Sequence, residues 1–177
     1  ANDNFADAIA LTGVGSGQSG TVTSGTQTGT NNIDATLEVD EPNPGTGATD
    51  TVWFKWTCPA DGNLKVSTTG STDTALPTPG EWDAVLGIYT GSALNALTPL
   101  GTTPQDTNLD ETMTVAVTAG TTYSIQLAGY GNTVAANILL TWTFAVHQAD
   151  MLAFGPGAAI GPVVGNAANI TWPMPEG

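Results

Sequence analysis

Along the middle of the chain, apolar and polar residues alternate with a period of two, the mark of strands that bury one face. From Thr51 to Thr57, Val52, Phe54 and Trp56 share one face while Trp53 and Lys55 share the other. Leu64, Val66 and Thr68 alternate next, and Asp83 to Tyr89 forms a further strand with Leu86 and Ile88 inward. Met113, Val115 and Val117 alternate, then Tyr123, Ile125 and Leu127. Ile138, Leu140, Trp142 and Phe144 make the most hydrophobic strand face of all. Turn signals separate the runs: Pro59-Ala60-Asp61-Gly62, with Asp-Gly as a hairpin signal, then Ala119-Gly120 and Gly129-Tyr130-Gly131-Asn132. No amphipathic helix intervenes. The pattern predicts an all-β protein, an antiparallel β-sandwich of jelly-roll-like type.

The two ends differ from this middle. The first 50 residues read as polar loop, with Phe5, Ala8, Ile9 and Leu11 able to pack a short segment on the core. They lead to an acidic, proline-containing stretch, Glu38-Val39-Asp40-Glu41-Pro42-Asn43-Pro44. From Asp150 to Gly177 only Asp150 and Glu176 are charged. Solvated linkers are polar, so a tail this apolar is expected to pack on its own domain, a neighbouring domain or another subunit. The division expected is a sandwich over 1–147 and a strand-forming tail over 148–177.

Composition sharpens this. Of 177 residues, 40% are hydrophobic and only 10% charged, against ~25% charged in ordinary domains. There are 16 acidic residues and two lysines, Lys55 and Lys65, with no arginine, for a net charge of −14. That balance argues against nucleic acid, which requires cationic phosphate contacts, and against anionic membrane surfaces. No run approaches the ~18 apolar residues of a membrane span. The lone Cys58 excludes an internal disulfide and reads as a small buried filler. A chain starting at Ala1 without an initiator Met suits a mature secreted protein.

Catalytic chemistry finds little support. His147 is the single histidine, and no nucleophile-elbow motif accompanies it. Histidine and cysteine together number two, too few for a zinc centre. The acids sit in turn-like stretches where they cap and solvate. The expectation is a protein that is not an enzyme. Trp53, on the face opposite Val52, Phe54 and Trp56, is a candidate platform for a polysaccharide or protein ligand if that face is exposed; otherwise it lies under a loop. Trp82, beside Glu81 and Asp83 in a Pro/Gly-rich loop, is a second candidate.

Several motifs, in order, resemble those of bacterial pre-peptidase C-terminal domains. They are Asn2-Asp3-Asn4-Phe5-Ala6-Asp7-Ala8, Glu41-Pro42, Asp50 through Thr57, Pro59-Ala60-Asp61-Gly62, Thr69-Gly70-Ser71, Leu86-Gly87-Ile88-Tyr89-Thr90-Gly91 and Ala119-Gly120-Thr121-Thr122-Tyr123. The likeness covers roughly residues 2–145. It implies a β-sandwich that serves secreted proteases, glycosidases or surface proteins as a binding or accessory module. It also implies calcium near the N-terminus in some members. Asn2 and Asp3 match the family's Asn-Asp pair and Asp50 matches an acidic position used for the metal; Asp40 and Glu41, with Glu38, are the local substitutes for an upstream acidic linker this chain lacks. Calcium takes six to eight oxygen ligands, and this set supplies the chemistry. The tail resembles the first strands of a bacterial Ig-like repeat.

The expected function is a secreted, cell-surface structural subunit that self-associates into a polymer by docking its tail on a neighbour. Met151, Phe154, Val163, Ile170 and Trp172 are the expected subunit contacts. A strand added to another subunit's sheet gains affinity from backbone hydrogen bonds, and a head-to-tail contact of that type propagates as a filament. Burying ~400 Å² of apolar tail is worth on the order of 10 kcal/mol before entropy costs. The alternative is a calcium-assisted polysaccharide- or protein-binding accessory module of a larger secreted enzyme or adhesin.

Overall fold

The computed structural model describes residues 2–12, 23–45, 47–73, 80–103 and 109–146. Ten strands run in chain order: β1 Ile9–Ala10, β2 Thr23–Thr30, β3 Thr49–Thr57, β4 Gly62–Ser67, β5 Thr72–Asp73, β6 Ala84–Thr90, β7 Thr98–Thr102, β8 Thr112–Val117, β9 Thr122–Gly129 and β10 Ala135–Val146. Sheet one has the order β1-β3-β9-β6-β7 and sheet two the order β2-β10-β4-β8, with β5 pairing β10. The protein is an all-β sandwich, as the alternation predicts. Every pairing is antiparallel except that of β1 with β3, which is parallel.

The core forms between the inner faces. From sheet one come Val52, Phe54 and Trp56 of β3, Leu86 and Ile88 of β6, and Tyr123, Ile125 and Leu127 of β9. Sheet two supplies Leu64 and Val66, Val115 and Val117, and the run Ile138, Leu140, Trp142 and Phe144. Trp56 packs across the sandwich on Phe144, ring centroids 5.4 Å apart. Cys58 is buried at the end of β3, with its thiol against the Ala60 carbonyl. Burial pushes that thiol above its ordinary pKa, so it is an inert filler.

Both ends of the sandwich are tied by polar groups. At one end Thr118 N–H donates to the Tyr123 hydroxyl (2.8 Å) and Ala119 N–H to Asp61 Oδ1 (2.7 Å), with Gly120 at φ +75° completing the turn. At the other, the fully buried Asn32 joins the two sheets. Its Nδ2 donates to the Asp50 carbonyl on β3, and its Oδ1 accepts from Ala135 N–H on β10.

The strands that alternation does not reveal are β1, β2, β5 and β7. β2 reads Thr-Ser-Gly-Thr-Gln-Thr-Gly-Thr, with no apolar residue to set a period, within a segment expected to be loop. The free edge of β10 recruits it, pairing Thr23 through Thr30 with Phe144 back to Ile138. A strand made by its partner leaves no periodic trace in its own sequence.

Phe144 sits at the centre of the inner layer, on Trp56. Phe144→Ala is expected to lower unfolding free energy by about 3–5 kcal/mol, read from urea denaturation; a loss under ~1 kcal/mol would place the core elsewhere.

Candidate interaction surfaces

The centre of the outer face of sheet one is closed to solvent, while Thr57 and Thr122 at one end of it are exposed. Period two turns Trp53 outward from β3, Gln126 from β9 and Tyr89 from β6, and all three are at most 1% exposed. The N-terminal segment and the 31–45 loop cover them. Asn2 clips the backbone of Trp53 in both directions: its Nδ2 donates to the Trp53 carbonyl, and its own carbonyl accepts the Trp53 N–H, each at 2.9 Å. Phe5 stands edge-on to the Trp53 indole, ring planes 89° apart, and carries the Lys55 ammonium on its ring at 4.8 Å from the centroid.

Glu41 is the hub of this cover. Its Oε1 accepts from Trp53 Nε1 (3.1 Å) and from Gln126 Nε2 (2.8 Å), and its Oε2 accepts from the Glu38 N–H (2.7 Å). Gln126 also donates to the Pro42 carbonyl and accepts the Tyr89 hydroxyl at 2.8 Å. Each buried polar group thus has a partner, and charge-assisted bonds of this kind are about twice as strong as neutral ones. Burial, and then the negative charge of Glu41, push the Tyr89 phenol above its ordinary pKa. Gly87 makes room for this. A Cβ there would lie 2.5 Å from the Tyr89 hydroxyl, so the tyrosine ring occupies the space a side chain would take.

The five residues expected to bind calcium are used differently. Asn2 is a backbone clip. The Asp3 carboxylate accepts from Thr36, N–H to Oδ1 at 2.7 Å and hydroxyl to Oδ2 at 3.2 Å. Glu41 serves Trp53 and Gln126, and Asp50 takes the Thr49 hydroxyl at 2.7 Å. Asp40 is exposed, at φ +67°. Among the described residues no three His, Cys, Asp or Glu gather as a metal-holding group. The two tryptophans expected to form an aromatic platform are not exposed. Trp53 and Trp82 are both fully buried, Trp53 under the loop cover and Trp82 within the core, donating from Nε1 to the Thr133 carbonyl at 3.4 Å. Gln126 and Tyr89, which hold the cover with Glu41, carry no signal in the sequence beyond a polar position inside an apolar strand.

The outer face of sheet two is different. Three rows cross β10, β4 and β8 in register: Thr141-Ser67-Thr112, Thr143-Lys65-Thr114 and Ala145-Asn63-Ala116. All nine are exposed or half-exposed. Lys65, Ser67, Thr141, Trp142 and Thr143 line a shallow depression of about 270 Å³ on this face. The strands β2, β4, β8 and β10 contain no acidic residue, and Lys65 is their single charge. Met151, Phe154, Val163, Ile170 and Trp172, the expected subunit contacts, lie outside the described residues, as does His147.

Three outcomes follow. Glu41→Ala strands two buried N–H groups and is expected to cost about 1–3 kcal/mol in urea unfolding. Because the folded-state pKa of Tyr89 is raised, its contribution is complete below the ordinary tyrosine pKa of about 10 and is lost as pH rises above it. Stability should therefore fall more steeply above that pH in the wild type than in Tyr89→Phe; equal slopes would remove Tyr89 from the balance. For the expected calcium site, an ion bound only to the native state raises stability, so the melting temperature is expected to rise by several degrees in millimolar calcium over chelator; a melting temperature insensitive to chelator would remove the site.

No family model matches the chain and no curated protein matches it, so the pre-peptidase likeness rests on its motifs. Among solved structures, one that is similar is the crystal structure of Aeromonas hydrophila PliG, a periplasmic lysozyme inhibitor of g-type lysozyme. It is 11% identical, covers 79% of this chain and 96% of its own, and has a TM-score of 0.35. A likeness at that level carries no argument about function. No helix among the described residues is long and apolar enough to cross a membrane.

Proposed function

We propose that this protein is a non-enzymatic, extracellular structural subunit of a bacterial surface fibre or layer, assembling by docking its C-terminal tail on a neighbouring subunit. The observation that carries this is the separation of charge. A subunit with net charge −14 repels its own copies wherever acid meets acid. Its tail has no charge between Asp150 and Glu176, and the four principal strands of sheet two have no acid. Contact between these two acid-free regions brings copies together without opposing carboxylates, as complementary interfaces require. Acids crowd instead on the cover of sheet one, at Asp3, Asp7, Asp34, Glu38, Asp40, Glu41 and Asp50. An accessory binding module draws less support, since both candidate tryptophans are buried.

The test is light scattering and electron microscopy of the full chain over a concentration series. Assembly is expected to grow with concentration, and to be lost both in a chain ending at 147 and in the full chain carrying Ile170→Asp and Trp172→Asp. A full-length chain that stays monomeric at every concentration would sink the reading.

A further inference from the structure

Among the described residues the two main strand orders end in four strands, beside the two-residue β5, and three of the four carry devices that discourage pairing with another chain. β1 is two residues long. β7 contains Pro99 and a register shift against β6. β2 contains Gly25 and Gly29, with a register shift against β10. β8 carries none of these. Thr112-Met113-Thr114-Val115-Ala116-Val117 has no Pro, Gly or charged residue, and its six residues pair with β4 in unbroken register. Every second residue of β8 turns its N–H and C=O away from β4, and no strand among the described residues takes up those groups. β7, which belongs to the other sheet, lies close to β8, with the Met113 sulfur 3.0 Å from where a Cβ on Gly101 would stand.

Resting on the assembly proposed above, we infer that the free edge of β8 is the acceptor, and that it takes residues 168–172 of a second copy as a fifth main strand of sheet two. The side chains match on both faces. Met113, Val115 and Val117 lie toward the core and Thr112, Thr114 and Ala116 outward. In Ala168-Asn169-Ile170-Thr171-Trp172, the same alternation sets Ile170 and Trp172 inward against the rim of the core and Thr171 outward beside Thr114 and Ala116. Neither strand is charged, so pairing buries no unpaired carboxylate. β10 ends at Val146, in the row Val146-Gly62-Val117, at the same end of the sheet at which β8 finishes. Backbone bonds supply affinity and the two apolar side chains supply register, the mode by which an extended segment extends a sheet.

The test uses paired cysteines in the full chain, in which the buried Cys58 does not compete. Thr171→Cys is combined with Thr114→Cys, with Ala116→Cys, or with Lys65→Cys in mid-sheet as the control. Oxidation is expected to give a ladder of covalent oligomers with position 114 or 116, and none with position 65 or with any single variant. A ladder of equal strength from position 65 would overturn the edge site. A cross-link confined to monomers would also overturn it, since the tail then returns to its own sheet. Assembly by light scattering without any ladder would refute β8 while leaving tail-driven assembly standing. Absence of assembly in the wild-type chain would remove both.

Discussion

The pairing of Trp53 with its cover is the interaction on which the N-terminal segment 2–12 and the loop 31–45 depend. Of these two stretches Leu11 and Ala35 are buried in the inner core and Ile9 packs against it, and both are held over a tryptophan that faces away from that core. Asn2 grips the Trp53 backbone, Phe5 its ring, and Glu41 its indole N–H, while Gln126, itself held by the Tyr89 hydroxyl, holds Glu41 and Pro42. A buried network of this kind is stable only when every member is satisfied. That condition explains why acids expected to hold a cation serve as acceptors for protein N–H groups. Their negative charge is spent on fixing a loop.

The alternation of Val52, Phe54 and Trp56, of Leu64 and Val66, and of Ile138 through Phe144 was enough to locate the inner strands and their facing. It placed Trp53 outward correctly, but period two says only which side a residue faces, and the cover comes from residues distant in sequence. Several of those residues, Asn2, Phe5, Glu41, Pro42 and Tyr89, lie within the motifs that suggest the pre-peptidase likeness. The structure gives those motifs a shared physical role in closing one sheet. Trp82 misled because its Pro/Gly surroundings read as surface, whereas the Ser71 and Thr133 carbonyls draw its two N–H groups inward. β2 and β7 were illegible because their pairing is set by neighbours and not by their own apolar residues.

The two sheets therefore divide the labour. Sheet one is closed outward over Trp53, Gln126 and Tyr89 by an acidic roof, beside which Phe5, Lys55, Gly91, Ser92, Thr122 and Ser124 line a depression of about 190 Å³. Sheet two presents small hydroxylated side chains and one plain edge. Natural sheets seldom leave such an edge uncovered, because it invites pairing with whatever strand arrives first. In a protein so strongly anionic, general charge repulsion guards against indiscriminate pairing, and only an uncharged segment approaches β8 without penalty.

The placement of the two lysines has a consequence for resistance to proteolysis. Lys55 and Lys65 are the sole points at which a protease cutting after basic residues can act on this sequence, and both lie within strands that have neighbours on each side. A protease active site needs several residues of backbone in extended, unpaired form, which loops offer and central strands do not. No loop or tail residue offers such a bond. Trypsin-like cleavage of this chain is therefore gated by opening of β3 or β4, and its rate becomes a measure of how often the sandwich comes apart.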